Sequence, residues 1–252
     1  MPKNMILALW CHPRSLSTAF ERMMIERDDF KVIHERFLYL YYVKQNPNLI
    51  IAQTQQIDAD IPIEFRDILD GILKEAENRP VFFKDMCLHV FNPKGYYATR
   101  DFLQLFTNTF LIRDPEPTIL SHLKHNPKMI FEEVGYDAQY QVFLNVADMM
   151  GKPPVLIDAY DLENNPAGII KAYCNAINIP FIPESLNWEP SIPDQFKKGQ
   201  KTWHVDVVKS TGFHKQVEKF DPELKENPIY KKYYEASLPF YQAMYKYRIQ
   251  AA

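Results

Sequence analysis

The chain has 252 residues, of which 46% are hydrophobic and 24% charged, with a formal net charge of −3 at pH 7. This composition excludes a disordered chain, and without a basic excess there is no broad attraction to nucleic acid or an anionic membrane. Any anion has to be met by a local positive site. Cys11, Cys87 and Cys174 lie far apart with no Cys-x-x-Cys pair. Neither a disulfide framework nor a zinc ribbon is expected, and a reducing, cytoplasmic location fits. No apolar stretch approaches the ~20 residues that span a bilayer.

Residues 5–10 are an apolar run that superficially resembles a signal sequence, but it lacks small-residue cleavage chemistry and runs into His12-Pro13-Arg14, so it reads as a first strand. Helical spacing follows at 18–26, then a short strand at 31–34. A long insert, 38–62, opens with Leu38-Tyr39-Leu40-Tyr41-Tyr42. Over 64–77, Phe65, Ile68, Leu69, Ile72 and Leu73 fall on one helical stripe. Strand runs at 81–83, 108–112 and 155–157 then alternate with helical patterns at 118–124, 137–150 and 166–177. The longer strand runs are continuously apolar, as in parallel strands covered on both faces. The alternation predicts an α/β chain, a single doubly wound domain over 1–252 with a mostly parallel, about five-stranded sheet flanked by helices. Residues 180–199 hold four prolines and no periodicity, so 180–215 reads as a loop or lid region. Tyr230, Tyr234, Tyr241 and Tyr245 predict a C-terminal helix over 228–248, packed on the core and interrupted or kinked at Pro239.

Ligands of open parallel sheets gather beyond the carboxyl ends of the strands. The first strand runs into His12-Pro13-Arg14-Ser15-Leu16-Ser17-Thr18 and a helix. A cation, three hydroxyls and the free N–H groups of a helix start make an anion site. Ser15 or Ser17 alone would suffice as a cap and would not need Arg14. The loop contains no glycine and is not a Walker A loop. A Cys-x5-Arg phosphatase loop from Cys11 would need arginine where Ser17 stands.

Set between strand and helix, Pro13-Arg14-Ser15-Leu16-Ser17-Thr18 resembles the 5′-phosphosulfate loop of the sulfotransferases that use 3′-phosphoadenosine 5′-phosphosulfate (PAPS). A second segment, Leu111-Ile112-Arg113-Asp114-Pro115, followed by Ser121 eight residues after Arg113, matches that family's 3′-phosphate pair. The resemblance covers roughly residues 5–160. It implies a P-loop-NTPase-like fold with a nucleotide-binding core over 1–160, PAPS as donor, 3′-phosphoadenosine 5′-phosphate (PAP) as product, and no metal. It puts Arg14, Ser15, Leu16, Ser17 and Thr18 on the 5′-phosphosulfate, and Arg113 and Ser121 on the 3′-phosphate. Leu16 stands where the family often has glycine, and Ala19 where it often has an adenine-holding aromatic. Phe20, Trp203 and Phe213 are substitute platforms. Lys198 in Phe196-Lys197-Lys198-Gly199 and Thr211 in Lys209-Ser210-Thr211-Gly212 stand in for a C-terminal loop on the 3′-phosphate.

Sulfuryl transfer needs in-line positioning, charge stabilisation and a base. Glu35, 21 residues after Arg14, is the first choice for base and resembles the glutamate of one sulfotransferase branch. In the cytosolic branch the third strand ends Lys-x-His. Lys84 keeps that lysine, Met86 replaces the histidine, and His89 is the rival base. Arg14 joins this catalytic set, and His12 is a candidate sulfate ligand. His122 and His125 are one helical turn apart without a third ligand, so no zinc is expected. The acceptor is expected to be a small alcohol, phenol or amine, with the aromatics of 37–42 and the stretch 180–188 walling its pocket, or with Phe37, Leu38 and Tyr41 in the core instead. A small-molecule kinase and a nucleotide-binding protein without turnover are the alternatives; the oligomeric state is open.

Overall fold

The computed structural model describes residues 4–49, 61–194, 208–213 and 222–251. Its strands are β1 (Ile6–Cys11), β2 (Lys31–His34), β3 (Val81–Met86), a short antiparallel hairpin β4 (Phe91–Asn92) and β5 (Gly95–Tyr96), then β6 (Thr107–Ile112) and β7 (Val155–Asp158). Five of them form one sheet in the order β2-β3-β1-β6-β7, and every pairing in it is parallel. All six residues of β1 and of β3 are buried, as expected for central strands covered on both faces. The principal helices are α1 (Ser17–Glu26), α2 (Phe65–Ala76), α3 (Cys87–Val90), α4 (Pro115–His125), α5 (Tyr136–Met150), α6 (Pro166–Ala176) and α7 (Pro228–Tyr245).

From β1 the chain leaves toward β2 and returns through β3; from β6 it leaves the other way, toward β7. The crevice between the carboxyl ends of β1 and β6 is therefore the topological switch point, where such sheets bind ligands. Gln139 of α5 pins its floor, its Nε2 donating to the Trp10 carbonyl of β1 (3.2 Å) and the Leu111 carbonyl of β6 (2.9 Å).

The insert after β2 is core at its start. Phe37 and Leu40 are fully buried, and residues 40–45 form one π-helical turn. Thus Phe37 to Tyr42 are all buried in the interior. Tyr41 also reaches a groove of about 320 Å³ that it lines with Asn46, Asn92, Lys94, Ile130 and Glu132. Residues 180–194 are not wholly irregular: Pro183–Leu186 is a 3-10 turn, and Trp188 is buried edge-to-face against Phe213 at 5.6 Å.

Helix α7 is not interrupted at Pro239. Proline frees the carbonyl of Glu235 four residues back, and both residues lie on the exposed side, where water can take the lost bond. Tyr241 on the buried side donates to Asp158 Oδ2 at the end of β7 (3.0 Å). Among the described residues no helix is long and apolar enough to cross a membrane.

Candidate active site

The loop after β1 does not cap α1 with a serine. Leu16 is the N-cap, in the left-handed region at φ 74°, with no side-chain cap hydrogen bond. Arg14 is left-handed too, at φ 63°. Such a conformation costs an L-residue about 1–2 kcal/mol, which is the physical reason glycine suits this position and leucine strains it. Ser15 is fully buried, and its Oγ has no hydrogen-bond partner among the described groups. Ser17 is buried beside Cys11, and Thr18 is half-buried. Burial pushes the Cys11 thiol up to about 12, so it stays protonated, and Cys87 and Cys174 are likewise free and buried.

Helix α4 starts where Asp114 and Pro115 predict: the Asp114 side chain accepts from the Glu116 N–H (2.8 Å), with Pro115 in the first turn. This start places Arg113 at the strand end and Ser121 on the helix facing the first loop. The two loops touch. Arg14 Nε donates to Ser121 Oγ (2.9 Å), and Arg113 Nη1 donates to the Arg14 carbonyl (3.1 Å). Residues 107 positions apart thus share the mouth of the switch-point crevice.

His12 is not oriented to bind sulfate. It is fully buried, its Nε2 accepts the Arg113 N–H (3.1 Å), and its Nδ1–H donates to the Pro13 carbonyl (3.0 Å). Burial, with the Arg113 cation nearby, lowers its pKa to about 3.

A second cluster lies under the β2-β3-β1 side. Lys84 and His34 sit side by side in register on β3 and β2. Glu35, the residue after β2, is left-handed at φ 33°, and its N–H still bonds the Lys84 carbonyl (3.0 Å). That turn at the strand end brings the Glu35 carboxylate against the fully buried Lys84 Nζ in a close ion pair. Lys84 also lies 3.5 Å from Glu21 Oε2. The same Glu21 oxygen meets His34 Nδ1 at 2.8 Å, and His34 Nε2 is 4.0 Å from Glu35. Two carboxylates therefore alternate with the Lys84 ammonium and the His34 ring around a closed ring.

Burial works to raise the Glu35 pKa, but Lys84 and then His34 outweigh it and hold Glu35 below the usual carboxylate range. Burial opposes charge on Lys84 as well, yet Glu35 and Glu21 keep it above the ordinary lysine range. For His34, burial is again outweighed, mainly by Glu21, and its pKa is raised. Cys11, next to both Ser17 and Lys84, links this cluster to the β1 loop.

His89, on α3, is nearly fully buried against both Tyr41 and Tyr42 (ring centroids 5.4 and 5.7 Å). Its Nδ1 is 2.6 Å from Asp85 Oδ1, and Asp85 accepts the Met86 and Phe37 N–H groups as well, both at 2.9 Å. This is an Asp–His dyad whose carboxylate is fixed by backbone donors.

Other expected residues lie apart or elsewhere. Phe20 is fully buried against Phe82 and Tyr173, and Phe213 packs on Trp188, so both serve the core rather than an adenine. The Thr211 carbonyl accepts the Trp188 N–H (3.2 Å) and Ser210 Oγ accepts Trp188 Nε1 (3.0 Å), which fixes that segment beside residues 187–188. Lys197, Lys198, Gly199 and Trp203 lie outside the described residues. Among the described residues no group of three or more His, Cys, Asp or Glu side chains has the geometry to hold a metal.

Sequence reading passed over Glu21, Asp85 and Tyr136. Glu21 did carry a signal: it shares the buried face of α1 with Ser17, Phe20 and Met24, and a glutamate on an apolar stripe needs a buried cation.

Among curated proteins, the branched-chain-amino-acid aminotransferase-like protein 2 of Arabidopsis thaliana is similar to this chain, 24% identical over 208 residues, which are 82% of this chain and 36% of that protein. The corresponding protein 1 of the same plant is 22% identical over 213 residues, 84% of this chain and 37% of its own. The chain thus spans little more than a third of the length of these relatives. Among solved structures, a sulfotransferase from Alicyclobacillus acidocaldarius is similar at a TM-score of 0.48 and 9% identity, covering 97% of this chain and 96% of that one. The mouse sulfotransferase SULT7A1, complexed with PAP, gives 0.46 at 9% identity, covering 98% and 89%. The family model described as a sulfotransferase domain matches residues 5–248, a span that holds both loops of the crevice and the buried charge ring, and the chain belongs to that family.

Proposed function

We propose that the chain transfers the sulfuryl group of PAPS to a hydroxyl or amine of a small acceptor. The observation that carries this reading is the meeting of two anion loops at one crevice, Arg14 on Ser121 and Arg113 on the Arg14 carbonyl. One nucleotide with phosphates at both ends of its ribose matches two such loops.

The buried, unpartnered Ser15 Oγ and the helix start uncapped by any side chain fit an oxyanion, which would supply the missing acceptors. Arg14, Ser15, Ser17, Thr18 and the N–H groups around Leu16 hold the 5′-phosphosulfate, while Arg113 and Ser121 hold the 3′-phosphate. Thr211 and Lys198 are assigned to the same phosphate on the family resemblance alone.

Glu35 takes the acceptor's proton as the acceptor oxygen bonds to sulfur and the bond from sulfur to the 5′-phosphate oxygen breaks, releasing PAP. Its carboxylate is a weak base while Lys84 holds it. When Lys84 turns toward the charge gathering on the leaving oxygen, Glu35 loses its nearest cation and its basicity rises. His89, tied to Asp85, is the alternative base. A cytoplasmic setting suits three free, buried thiols.

The test is transfer of labelled sulfate from PAPS to a panel of alcohols, phenols and amines. Labelled product that depends on PAPS and on Arg14 is expected. PAPS binding without product from any acceptor would support a nucleotide-binding protein, and preference for ATP with magnesium would support a kinase.

A further inference from the structure

Arg113 is gripped at its backbone as well as through its guanidinium. Its N–H donates to His12 Nε2 (3.1 Å), its carbonyl accepts the Tyr136 hydroxyl (2.6 Å), and the two rings stack on each other at 4.1 Å with 29° between planes. Both side chains are buried to within 1% of complete. His12 belongs to the loop after β1 and Tyr136 to the start of α5, so three elements converge on the backbone of one residue just beyond β6.

The approach of α5 is built in. Gly135, just before Tyr136, sits at φ 80°, where a Cβ would lie 3.1 Å from Leu88, 3.3 Å from Pro13 and 3.5 Å from His12. A side chain there would be strained in backbone and crowded against the very loop that carries His12. The acceptor role of His12 is also fixed, because the Pro13 carbonyl takes the Nδ1 proton and leaves the Nε2 lone pair for Arg113. No step of the proposed transfer uses either ring.

We infer that His12 and Tyr136 are positioning residues that clamp the Arg113 backbone on both sides of its Cα, aim its guanidinium across the crevice toward Arg14, and so set selectivity for nucleotides bearing a 3′-phosphate. The inference rests on the reading of Arg113 as the 3′-phosphate ligand. The clamp predicts a signature distinct from general loss of structure. A tilted Arg113 weakens grip on the 3′-phosphate and leaves the 5′ end, which Arg14 and the helix start would hold, untouched.

The experiment is calorimetric titration of the full chain with PAP and with AMP, which lacks the 3′-phosphate, for wild type, Tyr136→Phe, His12→Phe and His12→Gln. Tyr136→Phe keeps the stacked ring and removes the donor. His12→Phe keeps a ring and removes the acceptor. His12→Gln restores an acceptor near the Nε2 position. Tyr136→Phe and His12→Phe are each expected to weaken PAP about tenfold with AMP little changed, and His12→Gln to recover most of the loss. In an Arg113→Ala background neither phenylalanine variant should weaken PAP further. Equal loss for PAP and AMP, or an undiminished effect in the Arg113→Ala background, would overturn the clamp while leaving Arg113 its phosphate. If Arg113→Ala itself leaves PAP affinity unchanged, the donor-site reading fails first and the clamp with it. Tyr136→Phe, which removes one oxygen, carries the test if His12→Phe does not fold.

Discussion

Lys84→Met is expected to abolish sulfuryl transfer and to destabilise the fold by about 3–5 kcal/mol, the cost of stranding a buried partner charge. The lysine is fully buried between Glu35 and Glu21, and Glu21 already has one buried oxygen, Oε1, with no hydrogen-bond partner among the described groups. Without the ammonium, two carboxylates share a low-dielectric site with only the His34 ring between them. Denaturant unfolding at neutral pH measures the loss, and Lys84→Met combined with Glu21→Gln should recover part of it by removing one stranded charge. A stability change under about 1 kcal/mol for Lys84→Met would mean the ring contributes nothing. The ring also sets the pH response. The depressed Glu35 contributes stability that is complete above its ordinary value of 4.5 and lost as pH falls through its folded value. The raised His34 contributes fully below 6.5 and loses its share as pH rises through its folded value. Lys84→Met should shrink the acid-side loss, since Lys84 is the main force holding Glu35 down.

Glu35→Gln tests the chemistry at some cost in stability, which denaturant unfolding reads separately from turnover. The amide is the same size, leaves Lys84 near Glu21 at 3.5 Å, and keeps the backbone bond between residue 35 and the Lys84 carbonyl. If Glu35 is the base on the acceptor side, as proposed, its removal lowers turnover about 10²–10⁴-fold and leaves PAP affinity within about twofold. His89→Gln is the matched comparison. Should turnover survive in Glu35→Gln and vanish in His89→Gln, the proton passes to the Asp85–His89 dyad instead.

The parts legible in the sequence were those encoded locally. Five apolar runs are the five strands of the sheet, Asp114-Pro115 starts α4, and the eight-residue step from Arg113 to Ser121 sets Ser121 facing Arg14. What could not be read depends on pairing between distant segments. Lys84 and His34 are neighbours because β2 pairs with β3 in that register, and no local pattern states the register. His12 reads as a loop histidine free to meet sulfate; the packing of α5 through Gly135 turns it into an acceptor for Arg113. Phe37 to Tyr42 read equally as pocket or core until Phe65, Phe83 and Phe102 close on Phe37 and His89 of α3 packs against Tyr41 and Tyr42. Leu16 is the instructive mismatch, since a left-handed residue is expected to be glycine and the chain keeps leucine, with its side chain packed partly on the core.

Titration calorimetry with PAP, without metal, on the full chain and on Arg113→Ala is the measurement that bears most directly on the shared crevice. If the loops after β1 and β6 grip one doubly anionic nucleotide, wild type binds PAP tightly and Arg113→Ala binds it about 100-fold more weakly or worse, as expected for loss of a largely buried charged partner. Equal affinities in the two proteins, or no binding in either, would mean that the contact between Arg14, Ser121 and Arg113 serves only the fold.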